Sequence, residues 1–277
     1  MNKITLSLAF LIAVFSTPVS YALDADFAAK LKAASEGEHR SDKNKARNKY
    51  RNPIETMEFF GLKPDMTIME IAPGGGWYSE VLAPSMRDTG VFIAGSYDPD
   101  VEGQPKYRYR QHKALLEKIE KQADVYGQVQ VATYSPPESR DLWESDSVDM
   151  VLTFRSSHGW TRTGLIDDIY SDFYKVLKPG GVLGVVQHRA PEGGDAVEWA
   201  KKGYVPESRI IEAAEKAGFT LDAKSEVNAN PKDLKDHDSG VWRLPPTLTL
   251  GDEDREKYLE IGESDRMTLR FVKAAAE

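Results

Sequence analysis

The chain of 277 residues has no cysteine, which rules out disulfides, thiolate metal sites and a cysteine nucleophile. Histidine is scarce at five residues, so few imidazoles are on hand for acid–base work. A cationic excess is also missing: 36 Lys and Arg against 44 Asp and Glu leave a formal net charge of −8. A general nucleic-acid or anionic-membrane binder needs a basic footprint, so neither partner is expected. No internal repeat and no separate linker divides the chain, which therefore reads as one domain. What is present suffices for a large core and a soluble surface, with 40% hydrophobic and 29% charged residues.

The N-terminus reads as a cleavable leader. Lys3 gives a short positive start, Leu6 to Phe15 is apolar but for Ser7, and Pro18 breaks the run. Ser20-Tyr21-Ala22 fits a small-x-small cleavage site, so residues 1–22 are expected to be removed. The run is too short to span a bilayer comfortably, and no lipoprotein cysteine follows. The expected location is periplasmic or secreted, without stable membrane insertion.

The mature chain is organised around Thr67 to Pro84. Thr67 to Ile71 is a short bounded apolar run with the look of a buried strand; Ala72 to Gly76 is a small-residue turn. Trp77 to Ala83 reads as a helix start with Val81 and Leu82 facing in. Strand, glycine turn and helix form the first half of a nucleotide-binding unit, whose turn lets a ligand approach bare backbone. A dinucleotide fingerprint would put its third glycine at Trp77, where an indole cannot substitute, so NAD is disfavoured.

Flanking elements follow in alternation. Asp24 to Ala34 is an amphipathic helix capped by Asp24, and Asn52-Pro53 starts a second that Gly61 stops. Between them Arg40, Lys43, Lys45, Arg47, Lys49 and Arg51 form a basic stretch. It is either a solvated connector or a lid whose cations meet an anionic substrate. Strands are expected at Val91–Gly95, Val129–Thr133, Val148–Phe154 and Val182–Gln187. Helices are expected at Gln111–Tyr126, over Leu165 to Leu177, and at Pro206–Ala217. Lys178-Pro179-Gly180-Gly181 reads as the end of the second of these. Alternation of this kind predicts a mostly parallel α/β sheet with ligands at the strands' carboxyl ends. The tail from Thr220 has strands at both ends, and its middle, Asn228 to Gly262, is too long for an ordinary loop and is expected to cover the sheet.

The spacing acidic-x-small-x-Gly-x-Gly, met by Glu70, Ala72, Gly74 and Gly76, resembles motif I of the class I S-adenosylmethionine-dependent methyltransferases. Ala72 departs from the usual first glycine. Leu177-Lys178-Pro179-Gly180-Gly181 is similar to the segment before that family's fifth strand. The ending Ile261 to Leu269 is similar to a group of secreted bacterial predicted methyltransferases. The resemblance implies a Rossmann-like, seven-stranded sheet with helices on both faces and an antiparallel C-terminal strand, Met267 to Lys273. It divides the chain into a helical lid (23–61), a cofactor-binding core (62–219) and a C-terminal cover (220–277). It further implies S-adenosyl-L-methionine as cofactor and methyl transfer to a small molecule.

By the same resemblance the cofactor is expected along Glu70, Ala72, Gly74, Gly75 and Gly76. Its ribose falls at Tyr97 or at Asp98, which serves equally well as a turn residue in Asp98-Pro99-Asp100. Thr133 and Tyr134 are expected beside the adenine, with Phe154 and Arg155 bordering cofactor and acceptor. Two of the five histidines, His158 and His188, follow the fourth and fifth strands and should share one mouth. His158 is the expected proton acceptor and His188 the second candidate. Trp160 and Tyr204 either wall the acceptor pocket or pack in the core. The histidines with Asp98 or Glu192 lack a short ligand spacing, so no metal is expected. A non-catalytic adenosyl-ligand binder on the same fold is the rival reading, because S-adenosylmethionine is made in the cytosol.

Overall fold

The computed structural model describes residues 22–275; the leader read in the sequence lies outside them up to residue 21. The described residues start with four helices: α1 (Ala25–Glu36), α2 (Asp42–Lys45), α3 (Asn48–Arg51) and α4 (Pro53–Phe60). Asp24 caps α1, its Oδ1 accepting from the N–H groups of Asp26 at 3.1 Å and Phe27 at 3.0 Å. Phe27 and Leu31 turn inward. Pro53 opens α4, where its missing N–H costs nothing, and Gly61 closes it at φ 74°.

β1 (Thr67–Ile71) runs through the glycine turn into α5 (Ser79–Met86). This helix begins later than the sequence reading at Trp77, because residues 74–78 wind as turns first. Pro84 lies inside α5 and offers no N–H to the Glu80 carbonyl. His39 Nε2 donates to that carbonyl at 2.8 Å instead, so the buried oxygen is satisfied from α1's side.

The remaining elements are β2 (Val91–Ser96), α6 (Lys106–Lys121), α7 (Ala123–Tyr126), β3 (Gln130–Thr133), β4 (Val148–Phe154), α8 (Ser157–Thr163), α9 (Ile166–Val176), β5 (Leu177–Ala190), α10 (Ala196–Lys201), β6 (Val205–Pro206), α11 (Glu207–Ala217), β7 (Phe219–Ser225), α12 (Arg255–Ile261) and β8 (Arg266–Lys273). Two sequence expectations need correction. The single helix at Gln111–Tyr126 starts earlier, at Lys106, and breaks at Gln122, whose φ of −128° and ψ of 49° leave the helical region. Lys178 to Gly181 belongs to β5 rather than ending the preceding helix, which stops at Val176. Between the pairs Val148↔Leu177 and Met150↔Val182, β5 advances five residues while β4 advances two, so the segment bulges out of the ladder.

The sheet order is β3-β2-β1-β4-β5-β8-β7. β1 to β5 run parallel; β8 is antiparallel to both β5 and β7. The seven strands implied by the sequence form this path, and an eighth, the two-residue β6, pairs with the end of β5. So short a strand has no periodicity to betray it. Helices lie on both faces over two apolar cores. One face buries Ile169, Phe173, Ile210 and Ala213 from α9 and α11. The other buries Leu31, Met57, Phe60 and Val81 from α1, α4 and α5. Chain order reverses between β1 and β4, which opens a crevice at the strands' carboxyl ends. No helix among the described residues is long and apolar enough to cross a membrane.

Candidate active site

A cavity of about 630 Å³ fills that crevice. Glu70, Ala72, Pro73, Gly74 and Tyr97 line one side of it. Ala72 stands at φ 51°, the left-handed region that favours glycine, and its N–H donates to the Gly95 carbonyl at 2.8 Å. Gly74 follows at φ 60°; a Cβ there would meet nothing nearer than Gln111 Nε2 at 3.8 Å. The turn thus shows bare backbone to the cavity, with room for a ligand against it. Glu70 is 2% exposed and accepts from Ser79 Oγ at 2.6 Å. Burial raises its carboxyl to about 7, against the pull of that hydrogen bond and of Lys118 and Arg155.

Trp77 follows the turn and lines the cavity beside it. Its Nε1 donates to the Asn44 carbonyl at 3.0 Å, and the guanidinium carbons of Arg40 and Arg51 each lie 4.7 Å from its ring centroid. The basic N-terminal stretch is therefore no mere solvated connector. Arg40 and Arg51 are buried, the first against Glu80 and the second against Glu263.

The opposite side is built by the ends of β4, β5 and β8. Phe154 stacks on Tyr78, centroids 3.6 Å apart and planes 13° from parallel. Arg155 then turns at φ 61°, and its N–H donates to the Val186 carbonyl at 2.7 Å. This kink launches α8, which brings His158 over the cavity. His188 sits on β5 directly opposite Arg266 of β8, with its Nδ1 bonded to Ser264 Oγ. Both imidazoles are held neutral. Burial, then Arg155 and Arg162, lowers His158 to about 4. Burial, then Arg155 and Arg266, pushes His188 far below the ordinary range. Trp242 roofs the pair, its ring centroid 6.0 Å from that of His158.

Nine of the residues singled out in the sequence meet on this cavity: Glu70, Ala72, Gly74, Tyr97, Phe154, Arg155, His158, Trp160 and His188. Others stand elsewhere. Gly75 and Gly76 complete the turn but do not line the cavity. Asp98 acts as a turn residue: its Oδ1 accepts from the Asp100 N–H at 3.0 Å and its own N–H donates to Ser135 Oγ. Thr133 is exposed. Tyr134 is buried and donates to Asp172 Oδ2 at 2.8 Å, bordering a smaller recess. Trp160 lines the cavity and packs on Phe173, whereas Tyr204 lies off the wall and donates to both oxygens of Asp233 at 3.0 Å.

The sequence reading gave no role to Glu263, Ser264, Arg266 or Trp242, all on the wall. Glu263 accepts from Arg47 Nε at 2.5 Å, from Arg51 Nε at 3.0 Å and from Arg266 Nη2. The three cations hold its carboxyl at about 2 against burial, while burial and the crowding of like charges depress Arg51. The carboxylate is outnumbered: it stays ionised and the guanidiniums are left short of partners. Among the described residues no group of three or more His, Asp or Glu could hold a metal ion.

No protein-family model matches the chain, and no curated protein matches it in sequence. Solved structures do match. An S-adenosylmethionine-dependent methyltransferase from Aquifex aeolicus superposes with a TM-score of 0.53 at 16% identity, over 88% of this chain and 97% of that one. The [4+2]-cyclase SpnF gives 0.57 at 16% identity, over 91% and 94%. A geranyl diphosphate methyltransferase in complex with S-adenosylmethionine gives 0.54 at 11% identity, over 91% and 92%. The order of the strands, the antiparallel β8 and these superpositions together establish that the chain has the Rossmann-like fold of the S-adenosylmethionine-dependent methyltransferases.

Proposed function

We propose that the protein transfers a methyl group from S-adenosylmethionine to a small-molecule acceptor. The observation that carries this reading is a single cavity joining the glycine turn after β1 to two neutral imidazoles, one after β4 and one on β5. The open backbone at Gly74 suits the amino-acid end of the cofactor, Glu70 suits its ammonium group, and Tyr97 suits its ribose side. When bound, the cofactor supplies an electrophilic methyl on a sulfonium. The chain's own residues do the rest. Phe154 and Trp160 shape the space for the acceptor, Trp242 and Thr247 shield it from water, and His158 accepts a proton from the attacking group. Trp77, clamped by two arginines where a dinucleotide site needs glycine, argues against NAD.

A fold shared with a cyclase does not dictate the reaction. The discriminating experiment is calorimetry of the mature protein with S-adenosylmethionine, its demethylated product and NAD, followed by incubation of envelope extract with methyl-labelled cofactor. Tight binding of the first two and label on a small molecule are expected. Tight binding with no label on any extract would make the protein an adenosyl-ligand binder, a role favoured by Tyr97 standing where an acid would hold the ribose. We further propose export, on the leader at 1–22. N-terminal sequencing of envelope protein should begin at Leu23, and a cytosolic chain starting at Met1 would overturn it.

A further inference from the structure

The cavity's charge runs opposite to that of the molecule. The chain carries a net charge of −8, yet five arginines line the cavity: Arg51, Arg108, Arg155, Arg162 and Arg266. Among the described lining residues only two carboxylates, Glu70 and Glu263, share the cavity with them. Glu263 is already committed to Arg47, Arg51 and Arg266, and Glu70 takes its hydrogen bond from Ser79. Donors are therefore left over. Arg51 is 0% exposed and Arg266 1% exposed, and Arg51 Nη1, Arg51 Nη2, Arg155 Nε and Arg266 Nε are buried with no partner. A buried N–H without an acceptor costs its desolvation, and folded proteins keep few of them. Four on one wall, all on guanidiniums, call for an acceptor from outside the chain.

Their place in the sheet says which part of a ligand they meet. Arg155 leaves β4, His188 stands on β5, and Arg266 opens β8 opposite His188, in a row running from β1 away from β2. The glycine turn and Tyr97 lie on the other side of that row. We propose that Arg51, Arg155 and Arg266 form an anion subsite that takes a carboxylate or phosphate group of the acceptor beside the two histidines. A planar guanidinium fork matches either group bidentately, and the water-poor wall strengthens each contact. Held there, the acceptor presents its attacking atom to a neutral imidazole. The word acceptor rests on the transfer reading above; the subsite itself does not.

The test is calorimetric titration of the protein at low ionic strength with pyrophosphate and with succinate, alone and with saturating S-adenosylhomocysteine. Pyrophosphate responding and succinate not would mark a phosphate site; the reverse would mark a carboxylate site. Binding of either probe both with and without the nucleoside is expected. Arg155→Gln should weaken it by about 10- to 100-fold, the worth of hydrogen bonds to a charged group, while S-adenosylhomocysteine affinity stays within a few-fold. Arg155 suits the test because its side chain makes no hydrogen bond to another described residue; Arg266→Lys, which keeps the charge and loses the fork, is the second variant. Absence of binding by both probes would overturn the subsite, as would unchanged affinity in both variants. Binding that S-adenosylhomocysteine abolishes would overturn it too, by showing that these arginines hold the cofactor's carboxylate. If S-adenosylhomocysteine does not bind but the anions do, the transfer reading fails and the subsite stands.

Discussion

His158 and His188 stand side by side on the cavity wall, ring centroids 6.2 Å apart and planes inclined by 55°. They come from the ends of adjacent parallel strands, and burial among arginines keeps both neutral. His158 is ready to accept a proton at neutral pH, as a weak base near 4. His158→Ala is expected to cut transfer by about 10²- to 10⁴-fold, with cofactor affinity within a few-fold. With cofactor saturating at every pH, the rate should stay level above about pH 5 and fall as pH drops through about 4. An inflection near the ordinary imidazole value, in a folded enzyme, would assign the proton to another group.

The same depressed values bear on stability. A histidine with a folded pKa below its unfolded one leaves the unfolded chain binding more protons in between, so stability falls as pH drops from about 6.5 towards 4. His158→Gln should flatten that decline when melting temperature is followed against pH. An unchanged slope would locate the acid sensitivity elsewhere.

Glu70 acts in the opposite sense. Its folded pKa of about 7 lies above the unfolded value, so the native state keeps the proton, and stability is lost as pH rises from about 4.5 to 7. Glu70→Gln should therefore stabilise the ligand-free protein at pH 8, by up to about 3 kcal/mol. It should also weaken S-adenosylmethionine, whose ammonium it no longer meets as a carboxylate. Wild-type affinity should rise from pH 6 to 8, with proton release visible as a buffer-dependent enthalpy. A variant less stable at pH 8 would refute this account.

Gly74 and Gly76 both take positive φ but face different surroundings. A Cβ on Gly74 enters the cavity, whereas one on Gly76 comes within 3.4 Å of Lys118 Nζ. Both substitutions to valine should cost about 1–3 kcal/mol of stability from backbone strain. Only Gly74→Val should abolish adenosyl-ligand binding at a temperature where both remain folded. Equal loss of binding in the two would mean that the turn acts through its shape alone.

The C-terminal cover hangs on Asp233, which is 1% exposed. It accepts from the Tyr204 hydroxyl, the Lys235 N–H at 3.0 Å and the Asp265 N–H at 2.9 Å, and it meets His237. Asp233→Ala orphans these donors and should cost about 2–4 kcal/mol. Hydrogen exchange should quicken over residues 230–247 before the sheet opens. Uniform exchange across the chain would show that the cover is no separate unit.

The strands were legible because each is a bounded apolar run, and the glycine turn because Glu70, Ala72 and Gly74 stand at a spacing only a tight turn needs. That His158 and His188 share one mouth followed from their place after neighbouring strands. Single-residue phase was not legible. Tyr97 lines the cavity while its neighbour Asp98 does not, and Thr133 is exposed while Tyr134 is buried; composition cannot tell which of each pair faces the ligand. The arginine wall was hidden for another reason. Arg51 and Glu263 meet 212 residues apart, and no local pattern records a contact of that span.

β8, the last strand among the described residues, lies inside the sheet between β5 and β7 rather than at its border. On a ribosome adding about 5–20 residues per second, every other strand emerges before the one that joins these two. Until it arrives, β5 and β7 each hold out a row of unpaired N–H and C=O groups, and the wall carrying Glu263, Ser264 and Arg266 does not exist. The cavity wall is therefore incomplete until β8 has been made, and a chain cut before Glu263 leaves the facing edges of β5 and β7 unpaired.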